Sequence, residues 1–241
     1  MTSLVASAIG AERIECYVGV DGIAGLPALS YDEAAHYCAS SAAPFPSVAL
    51  WPAKRDGIPI LVRNLCRPDF PGTVISAAGS AGHDVVSGVL CDGDLVLLTV
   101  YGTGLLGQVG LSSAVFSAMA GAGVNVRFIS QSSSEYSISF AVRPEDRDKA
   151  LDAVGALVVS NPQMPQDDVM VLDREVAILT VFGDRMKNVP GVSARVYDAL
   201  GKAGVSVVAS AQGGEELSIS VAVALEEADT ARKALEALSC R

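Results

Sequence analysis

Two glutamines, Gln131 and Gln212, occupy matching places in two similar segments, each at the end of a run of residues typical of a β-strand. A glutamine amide offers both a hydrogen-bond donor and an acceptor. Those groups suit the carboxylate, the ammonium group or a side-chain hydroxyl of a free amino acid. The alternative is that both amides only satisfy backbone groups at strand ends, and the sequence leaves that choice open.

Three other clusters contain residue types found in binding or reactive sites. Residues 102–107 fit the G-x-G-x-x-G pattern of a dinucleotide loop, but no acidic residue follows about 20 positions later. We therefore predict a loop that lets backbone approach a small ligand. The run Ser132–Glu135 predicts a β-hairpin bend beside the glutamine, with a phosphate nest as the alternative. Asp32 and Glu33 predict the start of a helix rather than catalytic carboxylates.

The composition of the 241 residues argues against several classes of protein. With 27 acidic and 17 basic residues the formal net charge is −10, which disfavours nucleic acids and anionic membranes as partners. Five cysteines without a C-x-x-C pair, and only two histidines, predict free thiols and no metal ligands. The N-terminus lacks the pattern of a signal peptide, and glycines interrupt the uncharged stretch 95–126. We expect a cytoplasmic protein with no membrane partner.

The elements that must position the two glutamines are repeated. With an offset of 81 positions, residues 97–142 align with residues 178–223 without a gap. Each copy predicts a strand, a glycine-containing turn, a helix, a second strand, a hairpin bend and a third strand, and a charged helix follows. The order β-α-β-β-α is that of a ferredoxin-like unit.

The predicted organisation of the chain has four parts. Residues 1–76 lack the repeat and alternate short predicted helices with short strands, which indicates an α/β unit. Residues 77–84 are mostly small and polar and predict a linker. The two ferredoxin-like units are placed at 85–165 and 166–241, and an interleaved arrangement of the two remains an alternative.

Several motifs resemble those of aspartate kinases. QSSSEYSISF from Gln131 and AQGGEELSIS from Ala211 resemble the paired regulatory ACT repeats of that family, most closely its threonine-sensitive members, including those fused to homoserine dehydrogenase. LSYDEA from Leu29, GIPILVRN from Gly57 and PDFPGTVI from Pro68 resemble the C-terminal half of an amino-acid-kinase domain. The resemblance covers nearly the whole chain. It implies an α/β (α+β) fold, with a partial amino-acid-kinase α/β remnant followed by two ferredoxin-like βαββαβ ACT domains.

The resemblance also implies a ligand and the residues that bind it. The effector would be an amino acid, threonine first and lysine second, held by the glutamine, by backbone groups at the start of the same strand, and by the turn before the helix. The implied effector-binding residues are Gly107, Gly110, Ser112, Asn125, Val126, Gln131, Ser132, Glu135, Ser206, Val207 and Gln212. ACT pairs of the family build side-by-side sheets, and we expect the second copy to be inserted within the fold of the first.

Departures from the family pattern concern catalysis. The Lys-Phe-Gly-Gly phosphate loop of the family is absent from this sequence. Where the family has a Thr-Asp-Val-x-Gly segment, this chain has VGVDG at 18–22. Where the family has a helix start that contains a lysine, this chain has YCASS at 37–41. Phosphoryl transfer needs cationic groups and Mg²⁺ arranged on the phosphates. We therefore expect no catalytic residues, no metal site and no cofactor in this chain alone.

Three functions are consistent with these observations. The first is a regulatory protein that binds threonine or lysine and controls aspartate-family amino-acid biosynthesis, as a homodimer through its ACT domains or in complex with a full-length aspartokinase. The second is a fragment or subunit of an active aspartate kinase, which forms 4-phospho-L-aspartate from ATP and L-aspartate and would require ATP and Mg²⁺. The third is an ACT dimerisation scaffold without a ligand.

Overall fold

The computed structural model describes residues 2–23, 26–38, 45–79, 85–107, 109–161 and 169–239. The N-terminal unit contains α1 (Thr2–Ile9), β1 (Ile14–Val18), β2 (Ala28–Leu29), α2 (Tyr31–Cys38), α3 (Leu50–Asp56), β3 (Ile60–Asn64) and β4 (Thr73–Ile75). The remainder contains β5 (Gly88–Tyr101), α4 (Leu111–Gly121), β6 (Phe128–Gln131), β7 (Ser137–Val142), α5 (Arg147–Ser160), β8 (Met170–Phe182), α6 (Val192–Lys202), β9 (Val207–Gln212), β10 (Ser218–Ala224) and α7 (Ala228–Glu236).

The N-terminal unit is a small mixed sheet packed against short helices. Its strand order is β1-β3-β4-β2, and alternate residues of β3, such as Ile60 and Val62, are buried against the helices. Helix α2 begins with a capping box, in which the Glu33 N–H donates to the Ser30 hydroxyl (3.0 Å) and the Ser30 N–H donates to the Glu33 carboxylate (2.8 Å). The prediction that Asp32 and Glu33 mark the start of a helix is confirmed.

The other six strands form one sheet in the order β6-β7-β5-β8-β10-β9. Strands β5 and β8 are long and antiparallel, and an irregularity in their pairing after Asp92 divides the sheet into two halves. In one half, Leu95–Tyr101 pairs with β8 on one side, and most of that segment pairs with β7 on the other. In the other half, Gly88–Asp92 pairs with Ile178–Phe182, which in turn pairs with β10.

Each half of the sheet has the strand order of a ferredoxin-like fold, so the predicted α/β class with two such units is confirmed. The expected direction of insertion is wrong. The fourth strand of the second unit is Gly88–Asp92, which precedes the first unit in the chain, so the first unit is inserted within the second. The reason is that the 14-residue strand β5 is long enough to belong to both halves. The boundary at 165–166 and residues 80–84 of the predicted linker lie outside the described ranges, so the predicted domain boundaries stay predictions.

The helices cover the outer faces of the folded sheet. Val115 of α4 and Val154 of α5 are fully buried against the first unit. Val196 of α6 and Leu235 of α7 are fully buried against the second. The apolar side of each helix therefore faces its own half of the sheet, as the apolar periodicity of the sequence predicts.

The inner faces of the two halves pack against each other. A cluster that includes Leu97, Phe128 and Ile178 fills the space between them. The edge strands β6 and β9 consequently approach each other, and the Ser130 hydroxyl donates to the carbonyl oxygen of Ser210 at 2.8 Å. The two units thus form one body rather than two separate domains on a linker.

The long uncharged stretch 95–126 is the end of β5, a turn and α4, as the glycines predict. In the ranges that the structure describes, no helix is both long enough and apolar enough to cross a membrane. Four of the five cysteines lie in those ranges, and each is a free thiol, namely Cys16, Cys38, Cys66 and Cys91. Burial raises the pKa of the Cys38 thiol to about 11, with a further contribution from Cys16.

Candidate effector sites

Each ferredoxin-like unit presents the same turn between its first strand and its first helix. Helix α4 starts directly after Gly110 and α6 directly after Gly191, with φ angles of 87° and 86°. A residue with a Cβ atom is strained in this left-handed region, so glycine at both places allows the helices to leave the turn in the same direction. The repeat in the sequence is therefore a repeat in the geometry of a potential site.

The two glutamines lie beside these helix starts. The Ser112 hydroxyl is 3.3 Å from Oε1 of Gln131, and the Ser193 hydroxyl is 3.4 Å from Oε1 of Gln212. Each serine is the second residue of its helix and each glutamine the last residue of its strand. Both glutamines are exposed, and these hydrogen bonds are long. A ligand arriving from solvent can therefore displace them at small cost.

A glutamate fastens the hairpin bend to the turn in each unit. The Gly107 N–H donates to the Glu135 carboxylate at 3.1 Å, and the Asn188 N–H donates to the Glu216 carboxylate at 2.8 Å. Both glutamates have left-handed backbone, with φ angles of 58° and 59°. The predicted hairpin bend at Ser132–Glu135 is confirmed, because the Glu135 N–H bonds to the carbonyl oxygen of Ser132 at 3.0 Å. The glutamates hold each turn close to its glutamine.

The Ser132 side chain stabilises this bend by hydrogen bonding to Ser137 on its other side. Its hydroxyl oxygen accepts the N–H of Ser137 at 3.1 Å and lies 3.4 Å from the carbonyl oxygen of the same residue. Asn188, Ser193 and Glu216 are absent from the residues predicted from the sequence. The offset of 81 positions could have found them, because it places them opposite Gly107, Ser112 and Glu135.

The predicted strand-start residues lie at the opposite end of each unit. Helix α4 has 11 residues, so about 16 Å separates its start beside Gln131 from its end near Asn125. Asn125 and Val126 line a separate cavity that also contains His36. Ser206 and Val207 occupy the equivalent place at the start of β9. Within one chain the eleven predicted residues are therefore divided between the two ends of each unit.

The turn of the second unit also contacts the N-terminal unit. Glu33 is 3% exposed, and its carboxylate accepts hydrogen bonds from the Asp184 N–H (3.2 Å) and from the Ser87 hydroxyl. Asp184 follows Gly183 at the end of β8 and begins the turn that leads to α6. Burial raises the pKa of the Asp184 carboxyl, and the nearby carboxylates of Glu33 and Asp32 raise it further. The sequence indicated only the helix-capping contact of Glu33.

Metal ligation has no support in the part of the chain that the structure describes. Those residues contain no group of three or more histidine, cysteine, aspartate or glutamate side chains that could hold an ion. His83 and Cys240 lie outside the described ranges. At the two helix starts, neutral hydroxyl and amide groups lie beside turns held by the carboxylates of Glu135 and Glu216, and the neutral groups suit a small polar organic ligand.

Comparison with known proteins assigns these units to a family. The family model described as "ACT domain" matches residues 98–157 and 179–238, one match in each ferredoxin-like unit. The bifunctional aspartokinase/homoserine dehydrogenase of Haemophilus influenzae is 34% identical, over 95% of this chain and 30% of that protein. Aspartokinase 2 of Arabidopsis thaliana is 26% identical, over 96% of this chain and 44% of that protein. The chain thus spans less than half the length of either relative.

Solved structures show the same fold. The aspartate kinase of Clostridium acetobutylicum superposes with a TM-score of 0.86 at 19% identity, over 99% of this chain and 57% of that chain. The regulatory subunit of aspartate kinase from Thermus flavus has a TM-score of 0.56 at 24% identity, over 64% of this chain and 99% of that chain. The fold and the repeated turn define a protein with two ACT domains. The two units are ACT domains, and over nearly its whole length this chain is similar to aspartokinases, as the sequence motifs predicted.

Proposed function

We propose that this chain is an amino-acid sensor, in which the ACT domains bind free threonine or lysine and thereby regulate aspartate-family amino-acid biosynthesis. The observation that carries the proposal is the repeated contact of a helix-start serine with a strand-end glutamine, Ser112 with Gln131 and Ser193 with Gln212. Two copies of one exposed polar arrangement, each held by its own glutamate, support the proposal of a ligand site at each turn.

The chemistry of the arrangement suits an α-amino acid. The glutamine amide can accept from an ammonium group and donate to a hydroxyl or carboxylate oxygen. The first N–H groups of α4 and α6 lack partners within their helices, and a helix N-terminus favours a negatively charged group. A ligand carboxylate at the helix start, with the rest of the ligand on the glutamine, satisfies both sets of groups.

Regulation would follow from linkage between ligand and conformation. A ligand that binds one arrangement of the ACT pair more tightly shifts the population towards it. Escherichia coli aspartokinase III, which shares the fold with a TM-score of 0.77 at 20% identity, is described in a complex with lysine and aspartate as the T-state. The Thermus flavus chain is described as a regulatory subunit. The description as a subunit supports an assembly of this chain with a full-length aspartokinase, and a homodimer through the ACT domains is the alternative that we propose.

A second candidate function is supported by the N-terminal unit. Strand β1 lies at the edge of its sheet, and its residue Tyr17 is 50% exposed, while Ile9 at the end of α1 is 73% exposed. An open edge with exposed apolar side chains is a surface on which another part of an amino-acid-kinase domain can pack. In that case the chain would belong to an active aspartate kinase that uses ATP and Mg²⁺.

A thermal-denaturation screen separates these functions. We expect threonine or lysine to raise the melting temperature, because a ligand at 100 times its Kd adds about 2.7 kcal/mol to the free energy of unfolding. A shift with ATP–Mg²⁺ alone would support the kinase function, and no shift with any ligand would support the scaffold. Ser112→Ala should weaken the amino-acid shift. Ser113→Ala is the matched control, because Ser113 is exposed and the second copy already has Ala194 there.

A further inference from the structure

A buried aromatic side chain holds the end of β8 against the N-terminal unit. Phe182, the last residue of β8, is fully buried and belongs to the apolar cluster of the N-terminal unit, together with Leu29 and Ile75. Its carbonyl oxygen accepts the Ser87 N–H at 2.9 Å. The strand that leads into the turn of the second ACT domain therefore ends inside the other unit.

The Glu33 carboxylate extends this attachment into the turn itself. One of its oxygens accepts hydrogen bonds from the Asp184 N–H at 3.2 Å and from the Ser87 hydroxyl, and the other accepts the Ser30 N–H at 2.8 Å. Because Glu33 is 3% exposed, little water is available to replace these donors. A residue of α2 therefore fixes the position of Asp184 in the turn.

Backbone hydrogen bonds link Asp184 to the start of α6. The Met186 N–H donates to the carbonyl oxygen of Gly183 at 3.1 Å, and the Val189 N–H donates to that of Met186 at 3.2 Å. The Met186 side chain is buried in the core of the second ACT domain. Helix α6 begins three residues after Val189, and Ser193 is its second residue. A displacement of Asp184 would therefore move Ser193 relative to Gln212.

The first ACT domain has the same turn in different surroundings. Thr103, which matches Asp184 at the offset of 81 positions, is exposed. Tyr101, which matches Phe182, is only partly buried, and its ring centroid lies 6.2 Å from that of Tyr136 in the same ACT domain. The two serine–glutamine contacts are thus alike in geometry, but different surroundings support their turns.

We propose that Glu33, which lies outside both ACT domains, is the positioning residue of the serine–glutamine site in the second ACT domain. The inference rests on the proposed function, because it takes the ligand of that site to be a free amino acid. Without the Glu33 acceptor the turn from Asp184 to Gly191 is less constrained, and ordering it reduces the affinity for a ligand. The second site would then depend on the N-terminal unit, and the first would not.

Hydrogen–deuterium exchange of the full chain without ligand tests the positioning role by itself. In Glu33→Gln the amide oxygen can still accept the Ser30 N–H, which keeps the capping box, but the amide nitrogen cannot accept the Asp184 N–H. We expect the amides of residues 184–191 to exchange about tenfold faster, the effect of losing one hydrogen bond to a charged acceptor. The amides of residues 103–110 should stay within about twofold of the unaltered chain.

Isothermal titration with threonine and with lysine then measures the two sites separately. Gln131→Ala leaves the site of the second ACT domain intact, and Gln212→Ala leaves that of the first. Adding Glu33→Gln should weaken binding about tenfold in the Gln131→Ala background and by less than about twofold in the Gln212→Ala background. A residue that supported only overall stability would affect both backgrounds alike. Asp32→Asn, which alters an exposed pair with Lys54, is the matched control and should change neither turn and neither affinity.

Two results would overturn the proposal. One is exchange at residues 184–191 that is unchanged in Glu33→Gln, or that rises equally in both turns. The other is the same change in affinity, or none, in the two glutamine backgrounds. If neither threonine nor lysine binds Gln131→Ala, the sensor function fails for the second ACT domain, and the exchange result alone decides whether Glu33 positions the turn. Glu33→Asp, whose carboxylate is one methylene shorter, replaces Glu33→Gln if a melting curve shows that the latter is unfolded.

Discussion

The backbone N–H of Asp184 donates a hydrogen bond to the carboxylate of Glu33, 3.2 Å away, although the two residues are 151 positions apart. Glu33 also caps helix α2 of the N-terminal unit, and Asp184 begins the turn that leads to the Ser193–Gln212 contact. One buried carboxylate is thus shared by a helix start and by the turn of a candidate effector site. A ligand that moves this turn must also act on the start of α2.

The first prediction concerns how much the hydrogen bonds of the Glu33 carboxylate contribute to the stability of the chain. Glu33→Ala should lower the free energy of unfolding by about 2–4 kcal/mol, because it leaves the buried Ser30 N–H and Ser87 hydroxyl and the partly buried Asp184 N–H without their acceptor. Urea unfolding followed by circular dichroism measures the change.

The neighbouring Asp32→Ala is the matched control for Glu33→Ala. The Asp32 carboxylate pairs with Lys54, and both side chains are about half exposed, at 49% and 50%. Such surface pairs contribute about 0–1 kcal/mol. Equal destabilisation by the two substitutions would contradict a structural role for the Glu33 carboxylate in joining the units.

The second prediction concerns pH. Because burial raises the pKa of Asp184 above its ordinary value of 3.8, its contribution to stability is full below that value and is lost as the pH rises through the folded-state pKa. Asp184→Asn should therefore gain stability relative to the unaltered chain as the pH rises from 3.8 towards 7. Urea unfolding of both proteins across this range measures the difference. A difference that stays constant, or that reverses at pH 7, would rule out this cause.

The third prediction concerns the close approach of β8 to the segment before β5. A Cβ atom at Gly183 would lie 2.5 Å from the carbonyl oxygen of Val85 and 2.9 Å from the backbone nitrogen of Ser87. Gly183→Ala should destabilise the chain by about 1–3 kcal/mol, because backbone atoms must move to make room. The shift in melting temperature measures this cost.

Gly155→Ala is the contrasting substitution for this test. Gly155 lies inside helix α5, and in the described part of the chain no atom outside its chain neighbours and the backbone of its own helix lies within 4 Å of an added Cβ. Alanine should stabilise that helix by about 0.5–1 kcal/mol. If Gly183→Ala melted at or above the temperature of the unaltered chain, the described contact between β8 and residues 85–87 would be wrong.

Much of the fold follows from local pattern in the sequence. The repeated segments predicted the helices and strands of both ACT domains, because their apolar periodicity and turn glycines act over a few residues. The same repeat placed Gln131 and Gln212 at strand ends, where the structure has them. The repeat could also have indicated Asn188 and Ser193 as partners in the second copy.

What the sequence did not reveal depends on pairing between distant segments. The pairing of Gly88–Asp92 with the end of β8 decides which ACT domain is inserted in the other, and neither segment carries a signal for its partner. Glu33 and Asp184, whose hydrogen bond connects the N-terminal unit to the second ACT domain, are also far apart in the sequence. The separation of Asn125 from Gln131, by contrast, follows from the length of α4 and could have been anticipated.

The most direct test of the sensor function is isothermal titration of threonine and lysine into the unaltered chain, Gln131→Ala and Gln212→Ala. We predict that at least one of the two amino acids binds the unaltered chain, and that one of the glutamine substitutions weakens that binding at least tenfold, which corresponds to about 1.4 kcal/mol. Absence of binding by both amino acids, or binding that neither substitution changes, would contradict the account.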